Sequence, residues 1–177
     1  MFGADSLPLL ESWRLRDDLD LRQYGSSWLQ HPQNRELVAG TDLALLHQIQ
    51  GQPSLRALFL HQATAGSSQP AALDPVAVDV YEAHVQDFLR RLLVLCHVTS
   101  GQPLRQPELL SIRWQNTDRQ RHILLWEKLV LIYTQYHKGQ QQSGIYKENV
   151  RFLPRAVDNL LLDYLAYITP LYQLFLH

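Results

Sequence analysis

After Trp114 the spacing of apolar residues changes from a helical to an alternating period, and that change sets the fold class. Ahead of it, Asp74 and Pro75 supply an N-cap followed by proline in the first turn. The helix they open runs to about Thr99 and carries Val78, Tyr81, Val85, Phe88, Leu89, Leu92, Leu93 and Cys96 on a wide apolar face, the pattern of a central buried helix. Beyond Trp114, residues 121–127 and 129–136 are short and rich in β-branched and aromatic side chains, which predicts two strands. Their joint at Glu127 and Lys128 lacks Asn-Gly chemistry and leaves the register open. A third strand over 149–153 follows a polar loop and ends at Pro154. Helical spacing then returns from Arg155 to Ile168, and Pro170 is expected to break it. The chain therefore reads as mainly α with a small three-stranded antiparallel sheet, an α+β fold.

The first third lacks any strand signal. Residues 6–22 read as a helix with Ser6 at its N-cap and Leu10, Trp13, Leu15 and Leu19 on one face. Residues 24–32 read as a loop anchored by Trp28. Thr41 caps a helix to Gln50 that Gly51 ends, and a short helix follows Pro53. The small, polar run over 63–72 has no periodicity and reads as a linker. The division is then a helical lobe at 1–62, a linker at 63–73 and a second domain at 74–177. An apolar share of 46% is enough for a sizeable core. The single cysteine, Cys96, excludes an internal disulfide; it reads as a small buried hydrophobe in a reducing compartment. No signal peptide and no membrane-length apolar run is seen, so an intracellular chain without membrane contact is expected. His47 and His61 have no second ligand at helical spacing, and no metal is expected. The apolar run over 171–177 suggests that the chain continues in a larger parent or docks on a partner protein.

Net charge is −1, but its distribution is uneven. Residues 1–89 hold five Arg/Lys against eleven Asp/Glu, whereas residues 90–155 hold eleven against four. An acidic half followed by a basic segment is the asymmetry expected when one face meets a polyanion; a solvated face gives the same pattern. The basic segment opens on residues 100–114, where Gly101, Pro103 and Pro107 mark a loop leading into a short helix. Arg105 and Glu108 lie three residues apart there. An arginine so displayed attracts phosphate. The alternative is a plain i,i+3 surface pair, worth roughly a few tenths of a kcal/mol.

The order of motifs adds to this. Gly101-Gln-Pro-Leu-Arg-Gln-Pro-Glu-Leu-Leu-Ser111, Tyr136-His-Lys-Gly139 and Lys147-Glu-Asn-Val-Arg-Phe-Leu-Pro-Arg155 together resemble the first half of a tyrosine-recombinase catalytic domain. More closely, they resemble the crypton-type region found beside fungal telomere-linked, RecQ-like helicases. The resemblance spans roughly residues 75–175, with the acidic lobe matching the helical region ahead of the catalytic core. It implies that Arg105 neutralises a scissile phosphate, that Glu108 buttresses it, and that Lys138 (or Lys147, the loop register being open) protonates a leaving oxygen. It further implies duplex DNA as partner, backbone contacts from Arg113, Lys147, Arg151 and Arg155, DNA recombination as the setting, and the nucleus as location.

The departures bear on activity. None of the eight histidines has an arginine three residues later, so the family's second arginine with its histidine is missing. Tyr164, Tyr167 and Tyr172 come too early to serve as the nucleophile. No phosphate-binding loop of the helicase type occurs, and no cofactor is expected. The expectation is a catalytically incomplete DNA-binding fragment, with a helical protein-interaction fragment lacking a DNA ligand as the alternative.

Overall fold

A computed structural model describes residues 7–60, 72–101, 103–136 and 147–176. The helices are α1 (Thr41–Gly51), α2 (Pro53–Phe59), α3 (Pro75–Thr99), α4 (Gln106–Leu110), α5 (Arg155–Asp163) and α6 (Thr169–Phe175). The strands are β1 (Ile123–Trp126), β2 (Leu129–Tyr136) and β3 (Lys147–Phe152), in one antiparallel sheet of order β1-β2-β3. The α+β class is thus as expected. Among the described residues no helix is long and apolar enough to cross a membrane.

Contacts divide the chain into two units, each built from segments distant in sequence: Met1–Pro8, Gly40–Arg91 and Tyr164–His177 form one, Leu9–Ala39 and Leu92–Asp163 the other. The sequence reading places a boundary at 63–73, most of which lies outside the described residues. Its flanks fall in the same unit: Leu60 bridges Leu73, and the Asp74 N–H donates to the Phe59 carbonyl at 2.8 Å.

The first unit is held by an aromatic cluster. Phe59, Tyr81 and Phe175 meet with ring centroids 5.5–6.1 Å apart, two of the three pairs edge to face. Phe88 stacks on Tyr164, and the Tyr167 hydroxyl donates to the Pro8 carbonyl at 2.6 Å. The apolar tail over 171–177 contributes Leu171, 1% exposed, to this core. Asp74 caps α3 as expected, accepting the Val76 and Ala77 N–H groups. The N-cap of α1, expected at Thr41, is Gly40, whose φ of 73° lies in the left-handed region that glycine enters at no cost. Pro170 does not break the last helix. The π-helical turn Tyr164–Ile168 precedes it and gives the ring room over the preceding turn, while the Thr169 hydroxyl donates to the Tyr164 carbonyl at 3.1 Å.

The second unit corrects the helix expected over 6–22. Only Ser12–Arg14 is helical, as a 3-10 turn, and the rest of the described stretch runs irregularly. Long-range polar bonds outcompete the local helix. Asp17 accepts Arg121 Nη2 at 2.5 Å and the Leu125 N–H at 3.0 Å. Both side chains of the ion pair are essentially out of solvent. Asn34 accepts the Arg16 N–H and donates to the Arg16 and Trp28 carbonyls. Asn116 donates to the Leu21 carbonyl and accepts the Arg121 N–H. The bonds to Arg16 and Leu21 take backbone groups that a helix would need. Trp28, fully buried, is the anchor expected of it.

The sheet register pairs Ile123 with Ile132, Leu125 with Val130 and Trp126 with Leu129, so β1 and β2 join through a two-residue turn. Glu127 and Lys128 have φ of 48° and 72°, the positive-φ pattern of a type I′ turn made without asparagine or glycine. The Ser12 hydroxyl steadies the turn, 2.9 Å from the Lys128 carbonyl oxygen. Alternation places Ile123, Leu125, Val130, Ile132, Thr134, Arg151 and Leu153 toward one face, where all seven are buried. The opposite face carries Trp126 stacked on Phe152, both half exposed.

The α3 helix is less enclosed than expected. Ala77, Tyr81, Val85, Leu92 and Cys96 form its buried stripe, but Leu93, Val94, Leu95 and Val98 are exposed.

Candidate nucleic-acid interface

Arg105 sits in extended backbone at the N-cap of α4, with its side chain exposed. Its N–H donates to Glu108 Oε2 at 3.0 Å. Glu108 is 7% exposed and is the third residue of α4, so its carboxylate reaches back one turn to fix the Arg105 main chain. That buttress explains the pairing better than a solvated surface pair. Pro107 lies in the first turn, where its missing N–H costs nothing. With five residues α4 has little macrodipole, so the positive charge at this turn is the guanidinium itself.

Arg113 is half buried and its main chain is stitched to the start of β1. Its N–H donates to His122 Nδ1 at 3.1 Å, and its carbonyl accepts the His122 and Ile123 N–H groups. Burial, followed by the charges of Arg113 and Arg119, holds the His122 imidazole below its ordinary pKa. It therefore serves Arg113 as a neutral acceptor. Asp118 is held low by the Thr117 hydroxyl and then by the same two arginines, a compact charged corner at the sheet edge.

Arg155 is exposed at the first turn of α5, after Pro154 closes the strand. Lys147 is the first residue of β3, paired with Tyr136. Lys138 lies outside the described residues. Arg151 does not stand on the surface as expected: it is 7% exposed on the covered face of the sheet, two residues from buried Leu153. The apolar alternation of Val150 and Phe152 points the other way, yet both are half exposed, so the burial of Arg151 follows from the register and not from the local pattern. All the described residues of this set belong to the second unit, which carries thirteen Arg/Lys against eleven Asp/Glu; the first carries three against six. The acidic and basic blocks of the sequence are not kept apart in space, since Asp17 of the acidic half is the partner of Arg121 of the basic segment.

Two further ionisable groups lie in the core of this unit. Asp158, which carries no signal in the sequence, is 0% exposed. Burial pushes its carboxyl up to about 6, against the opposing pull of the Val130 N–H, the Ser12 hydroxyl and Arg155. Cys96 is pushed up to about 11, by burial first and by the Asp158 charge second, as a core thiol would be. Tyr172 bonds Glu82 and Gln86, Tyr167 is 4% exposed, and Tyr164 stacks on Phe88; these are packing positions. Comparison of the chain with protein-family models, curated proteins and solved structures returned no match.

Proposed function

We propose that this chain is a DNA-binding, catalytically incomplete tyrosine-recombinase-like fragment of the crypton type, of the kind associated with subtelomeric helicases and acting in the nucleus. The observation that carries the reading is the exposed Arg105, fixed from behind by buried Glu108, directly ahead of a three-stranded antiparallel sheet in the more basic unit. Arg105 holds a backbone phosphate, with Lys138 as its partner by resemblance. Arg113, Lys147 and Arg155 add contacts that position the duplex without reading its sequence. The test is fluorescence anisotropy of a labelled duplex at several salt concentrations, with Arg105→Ala and Lys138→Ala alongside. Binding should weaken with salt, and each phosphate contact removed should lower the slope of log affinity against log salt by about 0.9. A folded chain that leaves the duplex free at low salt would sink the proposal.

One observation favours the second reading, a protein-interaction fragment. Val94, Leu95 and Val98 of α3 and Leu110 of α4, all in the second unit, are exposed apolar side chains. That reading stands if DNA binding is absent.

A further inference from the structure

Among the described residues, the inner face of the sheet holds a charge without a counter-charge. Arg151 is 7% exposed, and its Nε and Nη1 atoms are buried with no hydrogen-bond partner. The same unit shows how the chain otherwise treats a buried guanidinium: Arg121 is given Asp17. No described carboxylate that this unit brings to the sheet lies within ion-pair distance of Arg151. Glu108 holds the Arg105 N–H, and Asp158 faces the Val130 N–H and Ser12 through Oδ2 while its Oδ1 has no partner either. Glu148 accepts the Tyr133 hydroxyl at 2.7 Å, and its register puts it toward the opposite face. The segment joining β2 to β3, residues 137–146, contains no Asp or Glu at all.

A second orphan shares this face. Thr134 is 1% exposed and its Oγ1 has no partner. In the β2–β3 register Ile132 pairs with Arg151 and Thr134 with Asn149, so Thr134 and Arg151 are diagonal neighbours toward the same side. A buried, unpaired cation beside an unpaired hydroxyl costs stability, and the cost is removed when an anion with oxygen acceptors joins both. Phosphoryl oxygens match a guanidinium and a hydroxyl donor in charge and in hydrogen-bonding sense.

We infer that Arg151 and Thr134 form an oxyanion site on the covered face of the sheet, whose ligand is a phosphoryl group. The site is distinct from the exposed Arg105 and does not depend on the DNA reading. The phosphoryl group comes from free phosphate or from a nucleic-acid backbone.

The test uses the full chain. Its thermal unfolding midpoint is followed as inorganic phosphate replaces chloride at constant ionic strength, together with the Arg151 Nε–H resonance. Phosphate should raise the midpoint in proportion to the logarithm of its concentration and shift that resonance. Arg151→Met and Thr134→Val should abolish and weaken the response, while Arg35→Met, an exposed arginine of the same unit, keeps it. Should Arg151→Met fail to fold, Thr134→Val and the resonance in the unsubstituted chain still decide. A short duplex in place of phosphate separates the sources: a response lost in Arg151→Met assigns the site to backbone phosphate as well, and one retained assigns it to the free ion. A midpoint and resonance indifferent to phosphate, or an equal rise in Arg151→Met, overturn the inference.

Discussion

Substituting Asp158 with asparagine should make the protein more stable at neutral pH and leave it less affected in acid. Asp158 is fully buried, and its Oδ1 has no partner, while Oδ2 lies 3.2 Å from both the Val130 N and Ser12 Oγ. One N–H and one O–H donor are too few to offset desolvation of a carboxylate, so its pKa rises from 3.8 to about 6. Because the folded pKa is the higher one, this group's stabilising contribution is fully present below pH 3.8 and is lost as pH rises through about 6. Each pH unit between those two values is worth about 1.4 kcal/mol, so the loss amounts to about 3 kcal/mol. The neutral acid also suits the local bonding: its O–H can donate to Ser12 Oγ while Ser12 donates to the Lys128 carbonyl, 2.9 Å away. The asparagine keeps an acceptor for the Val130 N–H and never ionises. Urea unfolding of both proteins between pH 4 and pH 8 isolates the effect, since every other titrating group cancels in the difference. The variant's advantage should grow by about 3 kcal/mol from the acid to the neutral end. A difference that is constant with pH, or that shrinks as pH rises, would refute the reasoning.

Two other experiments test the second unit. Replacing Glu127 and Lys128 with asparagine and glycine suits the positive φ of both positions and should stabilise by about 1–2 kcal/mol in total, read as a raised thermal midpoint; an unchanged or lower midpoint speaks against the turn. Asp17→Ala leaves Arg121 buried without its anion and should cost about 3–5 kcal/mol in urea unfolding, most of it recovered when Arg121→Met is added. A cost below about 1 kcal/mol for Asp17→Ala alone would mean that the pair is solvated.

What the sequence discloses about this fold follows from how locally each feature is determined. The cap at Asp74, the strands after Trp114 and the proline that closes β3 depend on neighbours within a few residues, and all are legible. The stretch over 6–22 has helical spacing, yet its Asp17 bonds to Arg121 and Leu125 more than a hundred residues away, which no local period reports. Pro170 misleads for a similar reason, because the π turn that relieves it is set by packing of the preceding residues. At the candidate site, Arg105 and Glu108 are visible by spacing, although the carboxylate proves to serve the backbone N–H. Arg151 is visible as a charge; its burial needs the β2–β3 register, which turn chemistry alone leaves open.

The interleaving of the two units carries a consequence for how the chain reaches its native state. During synthesis residues 9–39 emerge early, yet Arg121, Leu125 and Asp158, to which they bond, are made only after the whole of Gly40–Arg91. The first unit in turn waits for Tyr164–His177, whose Phe175 completes the ring cluster with Phe59 and Tyr81. Neither unit can close before its distal segment, Leu92–Asp163 or Tyr164–His177, has been made, and closing such long loops slows the search. For the same reason a shortened chain beginning at Asp74 would strip Arg121 of Asp17 and expose the hairpin turn that Ser12 steadies. Residues 9–39 must therefore wait, unpaired, for more than a hundred later residues, and they are among the last of the second unit to find their place.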